Sequence, residues 1–248
     1  MIAYAEEKKW SQVMQKIDVQ SSTDKADTEP ALEVMAPGKM PFCLGGMKLW
    51  ENLVEHVHTA QYSARKNDWE ASIRVGRTLL FLHHYMMLSN DYQAAIEDML
   101  SFGSSDDYWR GNTLYEDELG RLSLIRLYPG TPVPLHDHPG CEGAMMVISG
   151  SVEIQRYTLQ SQTQKGSWGE IVGLDMNPER FLEQYDTTLF GKLRNNIQGL
   201  NSRTPDTVIL KVQSPSEFKN EQNWYYPLGD VSEDNMLSAK RVRARNPV

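Results

Sequence analysis

The sequence predicts a mainly β chain: an antiparallel barrel or double-sheet jelly roll preceded by a helical segment. Three observations carry this. Residues 44 to 100 hold apolar positions at three-to-four spacing, which is helical. Beyond residue 105 the pattern changes to short alternating runs separated by Gly and Pro turns. No low-complexity hinge separates the two textures, so residues 1–104 and 105–248 are expected to form one structural unit.

Taken in order, residues 1 to about 40 read as one short helix and a loop, because "QSSTDKADTEPALEVMAPGKMP" is rich in Ser, Thr, Asp and Pro. "MKLWENLVEHVHTAQYSARK" then places Leu49, Leu53, Val57 and Ala60 on one helical face, and "DWEASIRVGRTLLFLHHYMML" and "DYQAAIEDMLSF" continue the period. Two or three helices against one side of a core fit this region. "RLSLIRLYPG" sets Leu122, Leu124 and Arg126 against Ser123, Ile125 and Leu127, so both faces carry apolar residues, as inside a sandwich. "SVEIQRYTL" alternates as a half-buried strand does, and Gly150 before it reads as a hairpin turn. "KGSWGEIVGL" and "TVILKVQSP" supply further strands, and Trp224, Tyr225 and Tyr226 read as a C-terminal segment packed over the barrel.

Composition narrows the partners. A formal net charge of −8 argues against nucleic acid. The nearest basic cluster, Lys240, Arg241, Arg243 and Arg245, reads as a solvated tail. No run reaches transmembrane length, and the first twenty residues lack an apolar leader core. Cys43 and Cys141 are too few and too distant for a disulfide scaffold, so a reducing, cytoplasmic setting is expected.

The chemistry sits in "VPLHDHPGCEGAMMVISG", residues 133–150. His136 and His138 are two apart, so on a strand both imidazoles point the same way and can meet one ion. Asp137 between them reads as turn chemistry. Glu142 lies beyond "PGC", where a turn could return its carboxylate. Two imidazoles and a carboxylate leave coordination positions open, which suits ferrous iron and dioxygen, with manganese, nickel, zinc and a metal-free site as alternatives.

The spacing from Gly130 through His136, His138 and Glu142 to Gly150 closely resembles the first motif of the cupin superfamily, whose last interval is one residue shorter. The wider block from Tyr108 to Tyr157 resembles the cysteine dioxygenase family, small cupins with an N-terminal helical segment. That resemblance implies oxidation of the sulfur of a small thiol carboxylate to a sulfinate, with Fe(2+) and dioxygen. It also implies that Arg110, in a Tyr-x-Arg element with Tyr108, grips the substrate carboxylate, since a guanidinium pairs with a carboxylate in bidentate fashion. By analogy with cupins, a homodimer is expected. The family cysteine that can crosslink to a tyrosine falls at Gly143, and Cys141 does not match it.

The pattern departs from the family at linked points. Gln198, in "NNIQGLN", stands where the third metal histidine is expected. The Ser-His-Tyr relay falls on Ile209, Lys211 and Gln213. His56, His58, His83 and His84 belong to the helical segment and read as surface or helix-packing residues. Gln198 is then a fourth, weak ligand or a donor behind the metal. Strand parity puts Lys211 on the relay face, where an inward ammonium would offset Glu142 or hold an anion. Three functions follow: a thiol dioxygenase, a cupin enzyme of another reaction class using a His/His/Glu site, and a non-catalytic member that binds a small anion or a partner.

Overall fold

The computed structural model describes residues 44–63, 69–101, 108–160, 169–191, 196–215 and 222–243. The reading of residues 1–40, and the first part of "KGSWGEIVGL", lie outside these. The described residues all belong to one compact unit, Pro37–Val248. Among the described residues three helices come first: α1 (Leu44–Ser63), α2 (Trp69–Met86) and α3 (Asn90–Ser101). Trp50, Leu53, Val54, Val57 and Ala60 line one stripe of α1 and are buried, as the apolar period requires. No helix among the described residues is long and apolar enough to cross a membrane.

Eleven strands follow: β1 (Trp109–Glu116), β2 (Arg121–Leu127), β3 (Val133–Asp137), β4 (Glu142–Ser149), β5 (Val152–Leu159), β6 (Ile171–Leu182), β7 (Thr187–Phe190), β8 (Ile197–Ser202), β9 (Val208–Ser214), β10 (Asn223–Pro227) and β11 (Met236–Arg243). Five of them make an antiparallel sheet in the order β1-β2-β9-β4-β7. The other six, β10-β11-β6-β5-β8-β3, close into a barrel because β10 also pairs with β3.

Three cores result, and strand alternation assigns each residue to one of them. Leu122, Leu124, Ala144, Met146, Leu210 and Val212 face the helices. Leu127, Met145, Val147 and Ile209 face inward, against Val133, Val152, Ile154 and Leu200 of the second sheet. Leu135, Tyr157, Leu174, Tyr225 and Leu237 fill the six-stranded barrel. Both faces of "RLSLIRL" are apolar because one meets the helices and the other meets the second sheet. Register shifts in β3 and β5 move residues between the inner compartments: Val133 and His136, three apart, come to line the same cavity.

Two expectations are corrected. Gly150 does not turn a hairpin: β4 pairs with β7 and β9, whereas β5 pairs with β6 and β8, so its turn carries the chain between sheets. Its φ of 72° suits glycine, and a Cβ there would collide with Thr204 and Thr207. The basic C-terminal stretch is not simply solvated. Arg241 is buried, with its guanidinium carbon 5.8 Å from the centre of the Tyr225 ring.

Candidate functional site

Between the two sheets lies a cavity of about 420 Å³. His136 and His138 reach it from the end of β3, their ring centres 4.9 Å apart and near perpendicular. His136 Nδ1–H donates to the Pro134 carbonyl at 2.8 Å, which leaves the ring's lone pair on Nε2. Trp109 stacks on His136 with 6.3 Å between centres, and Phe190 lies 4.3 Å from His138. Burial pushes the His136 imidazole down to about 4, partly opposed by the Pro134 bond and aided by Lys211. Burial, then Lys211 and His136, hold His138 well below its ordinary value. Both rings are therefore neutral at pH 7.

Gln198 lies directly across from His136 in the β3–β8 ladder. Its Nε2 is 2.8 Å from His138 Nε2. Either the amide donates to the imidazole, or the turned amide accepts from it; in both, Gln198 occupies that ring nitrogen.

Lys211 and Gln213 of β9 line the cavity, and Ile209 packs in the same inner core. The Lys211 ammonium sits 5.2 Å over the Phe190 ring. Burial lowers it to about 8, with the Cys141 thiol opposing and Arg121 aiding the shift. Arg121 also lines the cavity and pairs with Glu116 at 2.8 Å near solvent. The residues around the cavity include Lys211, Arg121 and both histidines but no aspartate or glutamate. In a chain of net charge −8, that is a local inversion of sign.

Two expected site residues are not brought here. Arg110 alternates with the cavity residues Trp109 and Gly111, so it faces outward, 3.6 Å from Asp98 of α3. Glu142 shares the parity of Ala144 and Met146, which pack against the helices, while Gly143 and Met145 point inward. Gly143 itself has a physical reason to be glycine. A Cβ would collide with the Phe190 ring and the Val212 carbonyl. Replacing it with the family cysteine is expected to cost at least about 1–3 kcal/mol by overpacking, read from urea unfolding. A cost near zero would show that the ring moves aside freely.

Asp137 is not turn chemistry. It points into the six-stranded barrel, where it accepts from Asn223 N–H and Asn223 Nδ2, both at 2.7 Å, and from the Tyr225 hydroxyl at 2.9 Å. Burial pushes its carboxyl up, and these donors pull it back. The pairing ties β3, and so both cavity histidines, to β10. Arg121, Trp109 and Asp137 were not singled out from sequence as site residues; the alternation in "RLSLIRL" puts Arg121 on the Ser123–Ile125 face and was the available signal for it.

A three-ligand ferrous centre does not fit these residues. Among the described residues, no three His, Cys, Asp or Glu side chains are grouped to hold an ion. Gln198 occupies His138, and the Lys211 ammonium shares the space with no carboxylate among the lining residues to offset it.

An inward-facing histidine pair held by a double-stranded β-helix defines a cupin. The chain belongs to the PCO_ADO family, thiol dioxygenases of that superfamily, whose sequence model matches residues 85–227, more than half of its length. Members of the family are metalloenzymes, typically with iron. No curated protein matches the chain. Among solved structures, it is similar to a conserved Klebsiella pneumoniae protein with a double-stranded β-helix domain, at 15% identity and a TM-score of 0.35, covering 49% of this chain and 88% of that one. It is also similar to an RmlC-like cupin from Desulfovibrio desulfuricans, at 13% identity and a TM-score of 0.33, covering 48% and 94%. A third is the DMSP lyase DddQ from Ruegeria pomeroyi, at 14% and 0.36, covering 52% and 58%. At these values the likenesses say nothing of chemistry.

Proposed function

We propose that this chain is a divergent thiol dioxygenase homologue that captures a small organic anion in its cavity without assembling the family's iron centre. The observation that carries the reading is the cavity's charge: Lys211 and Arg121 beside two neutral imidazoles, with no acidic side chain among the lining residues. A carboxylate entering there gains charge-assisted hydrogen bonds in a partly desolvated space. The anchoring role expected of Arg110 passes to Lys211 with Arg121, and Gln198 serves as a hydrogen-bond partner of His138 rather than as a ligand. Because the family acts on thiols, thiol carboxylates are the first probes.

The test compares 3-mercaptopropionate with cysteamine, which carries the opposite charge, by calorimetry at pH 7. The acid is expected to bind at least about tenfold tighter, since two cations repel an ammonium. In parallel, iron is analysed after anaerobic loading and desalting. Wild type is expected to retain little, whereas Gln198→His, which supplies the third imidazole, is expected to retain close to one iron per chain. Equal retention in wild type, together with thiol-dependent oxygen uptake, would overturn the proposal in favour of a two-histidine centre. The Pro134-anchored tautomer of His136 is the one observation that favours that second reading.

A further inference from the structure

The cavity is polarised end to end, and strand register shows how. On the first sheet, the ladder between β2 and β9 sets Arg121 beside Gln213, then Ser123 beside Lys211, then Ile125 beside Ile209. On β1, Thr113 pairs with Ser123, Gly111 with Ile125 and Trp109 with Leu127. The sheet's inner face thus runs from charged and polar to wholly apolar within about three paired levels. The second sheet repeats the gradient. His136 pairs with Gln198, and on the same inner face Val133 pairs with Leu200.

The two gradients are aligned. The Lys211 ammonium sits over the Phe190 ring, which in turn lies 4.3 Å from the His138 ring, and Lys211, His136 and His138 all line the one cavity, so the polar ends meet. Leu127, Val133, Leu200 and Ile209 belong to a single packed cluster, with Ile125 against it, so the apolar ends meet too; Trp109 packs on the same cluster and spans to the polar end, where it stacks on His136. Leu127, Val133, Leu200, Ile125 and Trp109 also line the open space. The cavity's volume of about 420 Å³ is in the range of sites for drug-sized ligands and exceeds what a molecule as small as cysteine fills.

We infer that the ligand is an amphipathic carboxylate, its head held by Lys211 and Arg121 and its apolar body laid along Ile125, Leu127, Val133 and Leu200. This rests on the anion-binding reading above and names the class of anion. A short polar acid would satisfy the cations and leave the apolar end wet. A neutral lipid would fill that end and leave the ammonium unpaired.

The experiment is a calorimetric series on the full wild-type chain: propionate, butanoate, hexanoate and octanoate, with octanol as the uncharged counterpart. Affinity is expected to rise roughly fourfold per methylene until the apolar end is filled. Octanol is expected to bind at least about tenfold more weakly than octanoate. Lys211→Met is expected to weaken every acid by at least about tenfold and not to weaken octanol. Equal affinity along the series would overturn the amphipathic assignment while leaving the anion site standing. Octanol binding as tightly as octanoate would overturn the head-group assignment. Failure of every acid, short or long, would overturn the anion-binding reading and this inference with it. The wild-type series needs no substitution, so a misfolded variant does not blunt the test.

Discussion

Asp137→Ala is expected to cost the fold about 3–5 kcal/mol, the range for removing one partner of a buried charged network. The carboxylate is the shared acceptor for three donors, two from Asn223 and one from Tyr225, inside the closed barrel. Alanine leaves all three without it, the buried Tyr225 hydroxyl among them, and a lost partner in a buried place carries a desolvation penalty. It also removes the buried carboxylate whose pKa the Arg241 guanidinium draws down. For a chain of this size the midpoint temperature should fall by roughly 6–20 °C. Asp137→Asn retains one acceptor oxygen and should recover part of the loss. Tyr225→Phe, which removes a single donor with its hydrogen, should cost only about 1 kcal/mol. The measurement is urea unfolding of the three variants beside wild type. An Asp137→Ala cost under about 1 kcal/mol would mean that the network is redundant for stability. Since Asp137 lies between the two cavity histidines, a fold that survives the change should also bind its anion less tightly.

That arrangement explains what was legible in the sequence and what was not. The helix period, the β alternation and the inward pair His136 and His138 are local signals, and each marked its element. The replacement at Gln198 was equally plain, because it interrupts a motif. Asp137 was opaque because its partners lie 86 to 88 residues away, on a strand whose pairing with β3 no local pattern encodes. Arg110 and Glu142 point away from the cavity for a narrower reason. Each sits one residue out of phase with the cavity, and in a strand one residue decides the face. Motif likeness carried the residue type forward, and register decided where it pointed. Lys211 went the other way. Its parity with Ile209 and Gln213 was readable, but Arg121 became its companion only once β2 and β9 were known to be neighbours.

Lowering the pH from about 6.5 to 4 is expected to remove several kcal/mol of stability. The cause is buried imidazoles that the fold keeps neutral. His83 of α2 is buried, hydrogen-bonded to the Tyr92 hydroxyl at 2.8 Å, and held down to about 4 by burial and then by His84. His136 is also down to about 4, and His138 lies well below its ordinary value. In the unfolded chain these rings take up protons near 6.5; in the folded chain they do not until about 4. Between those values the unfolded state holds more protons, so stability rises with pH and is lost as pH falls. A lowering of that size is worth roughly 3 kcal/mol per ring, so His83 and His136 alone amount to a large part of a domain's usual margin. The check is urea unfolding at half-unit steps across this range. His83→Gln, which can keep a hydrogen bond to Tyr92 but cannot titrate, should flatten the acid limb by about 1.4 kcal/mol per pH unit, the slope of one proton. Stability that stays level between pH 6.5 and 4 would mean that these rings reach water in the folded chain rather than lying buried.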